Sequence, residues 1–145
     1  MDCKYETKMM LKDYEARKQS LTNIPEQIAI LEIELTAIRS ATTDGTAVRG
    51  GGNKREDAMI NNIATRAKLS MALEVARRWT KMVDNAMDTL DEEDRLILQR
   101  MYISNEKNAV ERLCEELGRE KTTVYERRDK ALHKLTITMW GVEQI

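Results

Sequence analysis

Between Arg55 and Leu90 the sequence contains neither glycine nor proline, and its apolar residues recur at helical spacing. A helix this long, ~50 Å if unbroken, with one apolar side is unstable alone in water and must pack that side on another helix. We therefore expect a helical pair or a larger helical assembly. The predicted inner face comprises Met59, Ile63, Leu73, Ala76, Val83, Met87 and Leu90, with Trp79 beside it. Alanines that would permit close approach lie at Ala64, Ala67, Ala72 and Ala86.

The segment upstream contains two predicted helices, and the second of them is the expected partner. The first covers residues 4–21, and Pro25 then separates it from a second helix over 24–40, because proline is tolerated in a first helical turn that Thr22 or Asn23 can cap. The second helix carries apolar residues at a 4-3-4-3 spacing that forms a single seam. That seam consists of Ile24, Ile28, Leu31, Leu35 and Ile38.

A glycine-rich stretch over residues 41–54 joins these helices and is predicted to be a flexible connector. A phosphate-binding loop is the alternative, but GGGNK lacks the GK[ST] ending and follows no predicted strand. Residues 1–88 are therefore predicted to form a helical hairpin. Because two or three helices alone make a thin core, we expect this segment to assemble into a homo-oligomer, with a dimer favoured.

Composition supports an all-α fold and excludes several functional classes. Hydrophobic residues make up 41% and charged residues 34%, Phe is absent, and there is one proline, which suits helices better than strands. Cys3 and Cys114 match no metal or redox spacing, and no apolar run is long enough to cross a membrane. His133 has no nucleophile or carboxylate at catalytic spacing. We expect a cytoplasmic protein that is not an enzyme and carries no cofactor or metal.

Residues 89–145 have the spacing of a three-helix helix-turn-helix domain. Asp91 is placed to cap a short helix that ends near Ser104, and a second helix follows over about 108–117. Gly118 stands where a left-handed residue ends a helix, and a third helix starts near Lys121. The acidic run at positions 91–94 could instead hold a metal, but its consecutive spacing favours helix capping. The residues predicted to face inward from the third helix are Val124, Ala131, Leu132 and Leu135.

Charge is polarised within this domain although the whole chain carries a net charge of only -1. Residues 119–134 hold six basic and three acidic residues, a net of +3, whereas residues 91–117 hold four basic and eight acidic residues, a net of -4. A basic second helix is typical of one that enters the major groove of DNA. Predicted base contacts are Lys121, Thr122, Thr123, Tyr125 and Glu126. Predicted phosphate contacts are Arg119, Arg127, Arg128, Lys130 and Lys134.

The segments LDEEDRLILQRMYI, VERLCEELG and TTVYERRDKALHKLTITMWG resemble region 4 of sigma factors. Together with the architecture of residues 1–90, they are similar to small phage-encoded transcriptional regulators of the ArpU and RinA type. The resemblance implies a DNA-binding activator of phage late genes that acts with host RNA polymerase in the bacterial cytoplasm, at the nucleoid. Two positions depart from the sigma pattern: Arg119 and Glu120 replace the apolar and capping residues of the turn, and Arg127 replaces an aliphatic residue.

Two other functions remain open at this stage. A small terminase-like DNA-packaging subunit also joins a helix-turn-helix to an assembly segment, and a ring of eight or more subunits would favour it. A polymerase-binding module would use the same domain without touching DNA.

Overall fold

The computed structural model describes residues 1–41 and 51–145, apart from the side chains of residues 51 and 52. Within these residues the chain forms five α-helices and one π-helical turn, and the expected all-α fold is confirmed. The helices are α1 (Cys3–Ser40), α2 (Gly51–Asp88), α3 (Glu92–Leu98), α4 (Ala109–Leu117) and α5 (Lys121–Trp140), and the π-helical turn Gln99–Ile103 directly follows α3. None of the helices in this described part is long and apolar enough to span a bilayer.

Contacts divide the chain into two compact units at positions that differ from the predicted boundary at residue 88. Residues 1–18 and 78–145 form one unit, the terminal unit, and residues 19–77 form the other, the hairpin unit. The reason is packing, because the first turns of α1 and the last turns of α2 share a hydrophobic core with α3 and α5. That core contains Met10, Leu11, Tyr14, Val83, Ala86, Met87, Leu90, Leu98, Ala131, Leu132 and Leu135.

Helix α1 continues through Pro25, so the predicted separation into two helices is wrong. Proline lacks the N–H that would bond to the carbonyl four residues earlier, and its ring crowds that carbonyl. The residues on both sides nevertheless keep one apolar seam at heptad spacing, and burial of that seam outweighs the local cost of the proline. The side chain of Pro25 itself lies on the exposed side of the helix.

In the hairpin unit the predicted seam of α1 is confirmed, whereas that of α2 is partly wrong. Leu35 is buried and its seam neighbours are half-buried. On α2, however, Ile63 is 48% exposed and Asn62 takes the inner position at 7%. The Asn62 side-chain amide donates to the Leu31 carbonyl at 2.8 Å, and its oxygen accepts from Arg66 Nε at 2.9 Å. A buried, hydrogen-bonded asparagine of this kind fixes the register of two packed helices.

The structure also shortens the predicted connector at its C-terminal end. Helix α2 begins at Gly51, so residues 51–54 are helical rather than part of a loop. The predicted connector over positions 42–50 lies outside the described residues.

In the terminal unit, polar contacts join the first turns of α1 to α2 and to the end of the chain. The Tyr14 hydroxyl donates to Asp84 Oδ1 at 2.5 Å, and Trp140 Nε1 donates to the buried Thr7 hydroxyl at 3.1 Å. The backbone N–H of Cys3 donates to the Glu143 carbonyl at 2.9 Å. Burial, followed by the hydrogen bond to Asp84 and the charge of Asp84, raises the pKa of Tyr14 to about 12.

Replacing Pro25 by alanine should stabilise the protein. Alanine restores the missing hydrogen bond in the middle of α1, so Pro25→Ala should raise the free energy of unfolding by about 2–3 kcal/mol in urea titrations followed by circular dichroism. The exposed neighbour substitution Gln27→Ala should change it by less than about 0.5 kcal/mol. Equal effects of the two substitutions would show that α1 does not run through Pro25.

Alkaline titration should single out Tyr14 among the four tyrosines. Because its pKa is raised in the folded state, its contribution to stability is complete below the ordinary tyrosine pKa of about 10 and is lost as the pH rises from there through about 12. The difference in phenolate absorbance between the wild type and Tyr14→Phe should therefore titrate near pH 12. In Asp84→Asn the same transition should move to lower pH, and a wild-type transition near pH 10 would contradict the contact.

Candidate nucleic-acid interface

Helices α4 and α5 meet at a tight turn built around Gly118. Gly118 ends α4 with φ +62°, a left-handed backbone that glycine adopts without strain, as predicted. The Cys114 carbonyl accepts the N–H of Gly118 and, at 3.2 Å, that of Arg119. Glu120 then returns to extended backbone and α5 begins at Lys121. Two residues therefore separate Gly118 from the start of the next helix, which is the spacing of a helix-turn-helix.

A small apolar core fixes how α5 lies against α3 and α4. Ile97, Leu113 and Val124 are each fully buried in it, one from each helix. Half-buried apolar residues surround them, namely Leu96, Met101, Val110, Cys114 and Leu117. Cys114 is thus a packing residue, as predicted. Further along α5, the predicted inward positions Ala131, Leu132 and Leu135 are buried in the larger core of the terminal unit.

Because one side of α5 is buried along its length, its other side is presented to solvent. Of the predicted base-contact residues, Lys121, Thr122 and Glu126 are exposed, and Thr123 and Tyr125 are half-buried. The Glu120 side chain makes no capping hydrogen bond at the start of α5, in keeping with the sequence departure at that position.

Two of the predicted phosphate contacts, Arg128 and Lys130, belong to this solvent side. Lys130 is exposed. The Arg128 guanidinium lies 4.8 Å from the centre of the Tyr125 ring and donates from Nε to Asp129 at 3.0 Å. The ring and the carboxylate hold the guanidinium flat against the helix surface, with a quarter of the side chain exposed.

Arg127 and Arg119 are instead engaged with the acidic start of α3. Arg127 donates to Asp94 at 3.0 Å and to Asp91 at 3.3 Å, and it forms an ion pair with Glu93. Arg119 donates to both Glu93 oxygens, at 2.9 and 3.3 Å. The hydrogen bond from Arg119 and the charge of Arg127 outweigh burial and lower the pKa of Glu93. All three guanidinium nitrogens of Arg127 are engaged with these carboxylates, whereas the Arg119 side chain is still about half exposed.

The acidic residues at positions 91–94 therefore have two structural roles. Asp91 Oδ1 accepts from the Asp94 N–H at 2.8 Å, which confirms the predicted N-cap. Glu93 and Asp94 hold the arginine of α5 that replaces an aliphatic residue of the sigma pattern. The departure at Arg127 is thus matched by a set of carboxylates on the facing helix.

Lys134 also has a partner within the terminal unit. Its ammonium donates to the Thr89 carbonyl at 2.9 Å, beside Arg95, which donates to the carbonyls of Met87 and Leu90 at 3.2 and 3.1 Å. These carbonyls end α2, where helical hydrogen bonding stops and cations are favoured. Lys134 therefore caps α2 in the structure.

Two exposed basic residues at the start of α4 were absent from the predicted contacts. Lys107 is exposed, and Arg112 is exposed and lies 3.8 Å from Glu106. The first helix of a helix-turn-helix crosses the DNA backbone, so its outward cations are suited to phosphates. Both residues could have been identified from the sequence, but they were included in the net charge of -4 over residues 91–117, in which acidic residues dominate.

Because of the ion pairs of Glu93, the free energy of unfolding of the terminal unit should decrease at acidic pH. A carboxylate with a lowered pKa contributes stability above its ordinary pKa of about 4.3, and this contribution is lost as the pH falls through the lower, folded-state value. Glu93→Gln should therefore lower the thermal midpoint at neutral pH, and its difference from the wild type should shrink below about pH 4. The adjacent substitution Glu92→Gln controls for the loss of charge in the first turn of α3, and an equal effect of the two would contradict the network.

Comparison with known proteins places this interface inside a recognised family region. A family model described as "Protein of unknown function (DUF1492)" matches residues 37–136, which include the whole of α2, α3 and α4 and most of α5. No curated protein and no solved structure matches the chain. Because the family match covers more than half of the 145 residues, the chain belongs to the DUF1492 family of proteins of unknown function.

Proposed function

We propose that this protein is a sequence-specific DNA-binding regulator of transcription that inserts α5 into the major groove. The observation that carries the proposal is the geometry at Gly118, where a left-handed turn joins α4 to α5 and leaves the polar side of α5 exposed from its first residue. Such a pair of helices presents the N-terminal residues of its second helix to base edges.

The exposure and pairing of side chains support a modified set of proposed DNA contacts. Base contacts come from Lys121, Thr122, Thr123, Tyr125 and Glu126, which include every exposed position of the first two turns. Phosphate contacts come from Arg128 and Lys130 on α5, and from Lys107 and Arg112 beside α4. Arg119, Arg127 and Lys134 serve the domain itself through Glu93, Asp94 and the Thr89 carbonyl.

The more specific role follows from the sequence resemblance to sigma region 4 and to regulators of the ArpU and RinA type. On that basis the protein is a phage or prophage activator that acts on late genes together with host RNA polymerase. The segments that carry the resemblance, from Leu90 to Gly141, coincide with α3, α4 and α5.

One observation favours a second function, that of a module that binds polymerase without contacting DNA. Three cations counted toward the basic face of α5 are paired inside the terminal unit, and Arg128 shares its charge with Asp129. The surface left for phosphates is therefore less basic than the net of +3 indicated. DNA affinity distinguishes the two functions directly.

Selection from a random DNA library should yield a defined site, and binding to it should depend on Lys121 and Lys130. Lys121→Ala should reduce affinity by about 1–3 kcal/mol if it reads a base. Lys130→Ala should weaken binding to all sequences and lower the slope of log affinity against log salt by about one. The matched control is Lys12→Ala, an exposed lysine of α1, which should bind like the wild type.

The opposite results have definite meanings. Affinity unchanged in both α5 variants, with thermal midpoints equal to the wild type, would exclude α5 as the DNA-reading helix. Failure to select any site, together with retained binding to RNA polymerase, would establish the second function.

A further inference from the structure

The hairpin unit carries an exposed apolar ridge on the side of α2 that faces away from its seam. Its large residues are Ile60, Ile63, Met71 and Val75, which are 62, 48, 72 and 53% exposed. Small exposed residues, Ala64, Ala67 and Ser70, lie between them, together with the exposed carboxylate of Glu74. Apolar side chains grouped this way at helical spacing are unusual on a surface that stays in water.

We propose that this ridge, residues 60–75 of α2, is the surface through which two copies of the chain form an antiparallel, two-fold symmetric dimer. Dimer formation through the ridge is independent of DNA binding. The partner is a second copy because the residues next to Ala67 and the charges at the two ends of the ridge are self-complementary.

The order of large and small residues is nearly the same in both directions from Ala67. Four residues away stand Ile63 on one side and Met71 on the other, and three residues away stand the small Ala64 and Ser70. Ile60 lies seven residues before Ala67, whereas the position seven residues after it is the exposed Glu74 and Val75 comes next. In a two-fold antiparallel pair centred on Ala67, Ile63 lies level with the partner's Met71, and Ile60 lies beside the partner's Glu74 and Val75. The small residues at the centre let the backbones approach closely.

Charges at the two ends of the ridge are opposite in sign and similarly spaced. Glu56 and Asp57 precede Ala67 by eleven and ten residues, and Arg77 follows it by ten. All three are exposed. An antiparallel pair brings the acidic end of one ridge to Arg77 of the other at both ends of the interface. A parallel pair would place like charges side by side, and this charge pattern opposes it.

Measurement of mass in solution tests the dimer. The full-length chain should sediment as a dimer at micromolar concentration, and Ala67→Glu and Met71→Glu should each weaken dimerisation at least tenfold. Asn61→Glu adds the same charge at an exposed position of α2 beside the ridge and should leave the dimer intact. Equal helical circular dichroism in all variants controls for unfolding. A monomeric wild type, or equal weakening by Asn61→Glu, would overturn the proposal, and a ring of eight or more subunits would replace the dimer with a different assembly.

Charge reversal tests the orientation. Glu56→Arg should weaken the dimer, and adding Arg77→Glu in the same chain should restore it, because each altered end then meets its altered complement. Engineered cysteines give a second reading: oxidised Ala67→Cys should cross-link to itself, whereas Ile60→Cys should cross-link to Val75→Cys and not to another Ile60→Cys. Self-linking of Ile60→Cys above the level of the unsubstituted chain would establish a parallel pair and overturn the antiparallel arrangement.

Discussion

Burial of one side of α5 in two successive cores is the constraint on which the terminal unit depends. Val124, near the start of the helix, completes the small core with α3 and α4, and Leu132 and Leu135 lie in the larger core with α1 and α2. A single helix anchored at two levels cannot rotate about its axis without uncovering both. The outward residues from Lys121 to Lys130 are therefore held in place by the apolar packing on the other side of the helix.

The pattern of ion pairs in the terminal unit follows from one residue of α5, Arg127, which stands at the edge of that packing. Where an aliphatic residue would extend the apolar side, the chain has Arg127, and a partly buried guanidinium needs paired carboxylates. The start of α3 supplies them while also capping its own helix. One consequence is that the net charge of residues 119–134 overstates how many unpaired cations the solvent side of α5 carries. Another is that the acidic residues, which could have suggested a metal site, are accounted for by Arg119, Arg127 and helix capping.

Sequence reasoning succeeded where short-range rules decide the structure. Gly118 as a left-handed helix end, Asp91 as an N-cap and the inward set from Val124 to Leu135 all follow from residue type and spacing, and all are confirmed. It failed where contacts between residues far apart in the sequence decide the structure. Pro25 predicts a break, but the seam on both sides keeps α1 continuous. The π-helical turn, closed by the Ser104 N–H on the Gln99 carbonyl at 2.8 Å, has no sequence signal. The partners of Arg127 lie more than thirty positions away in the chain.

In the hairpin unit Asn62 takes the buried position that was predicted for Ile63. This difference determines which residues α2 exposes to solvent. Judged by residue type alone, the isoleucine would be buried and the asparagine exposed, since burying an amide costs free energy unless it is fully hydrogen-bonded. Here the amide is buried and bonded to the Leu31 carbonyl, which fixes the register of α1 against α2, and Ile63 is turned outward beside Ile60 and Ala64. A rotation of about 100° about the axis of α2 would reverse the exchange. It would also move Leu73 and Ala76 out of the seam, so the outward isoleucine is imposed by the full length of the helix. The same packing that buries the seam thus places a second apolar row on the opposite side, where it is exposed among the described residues.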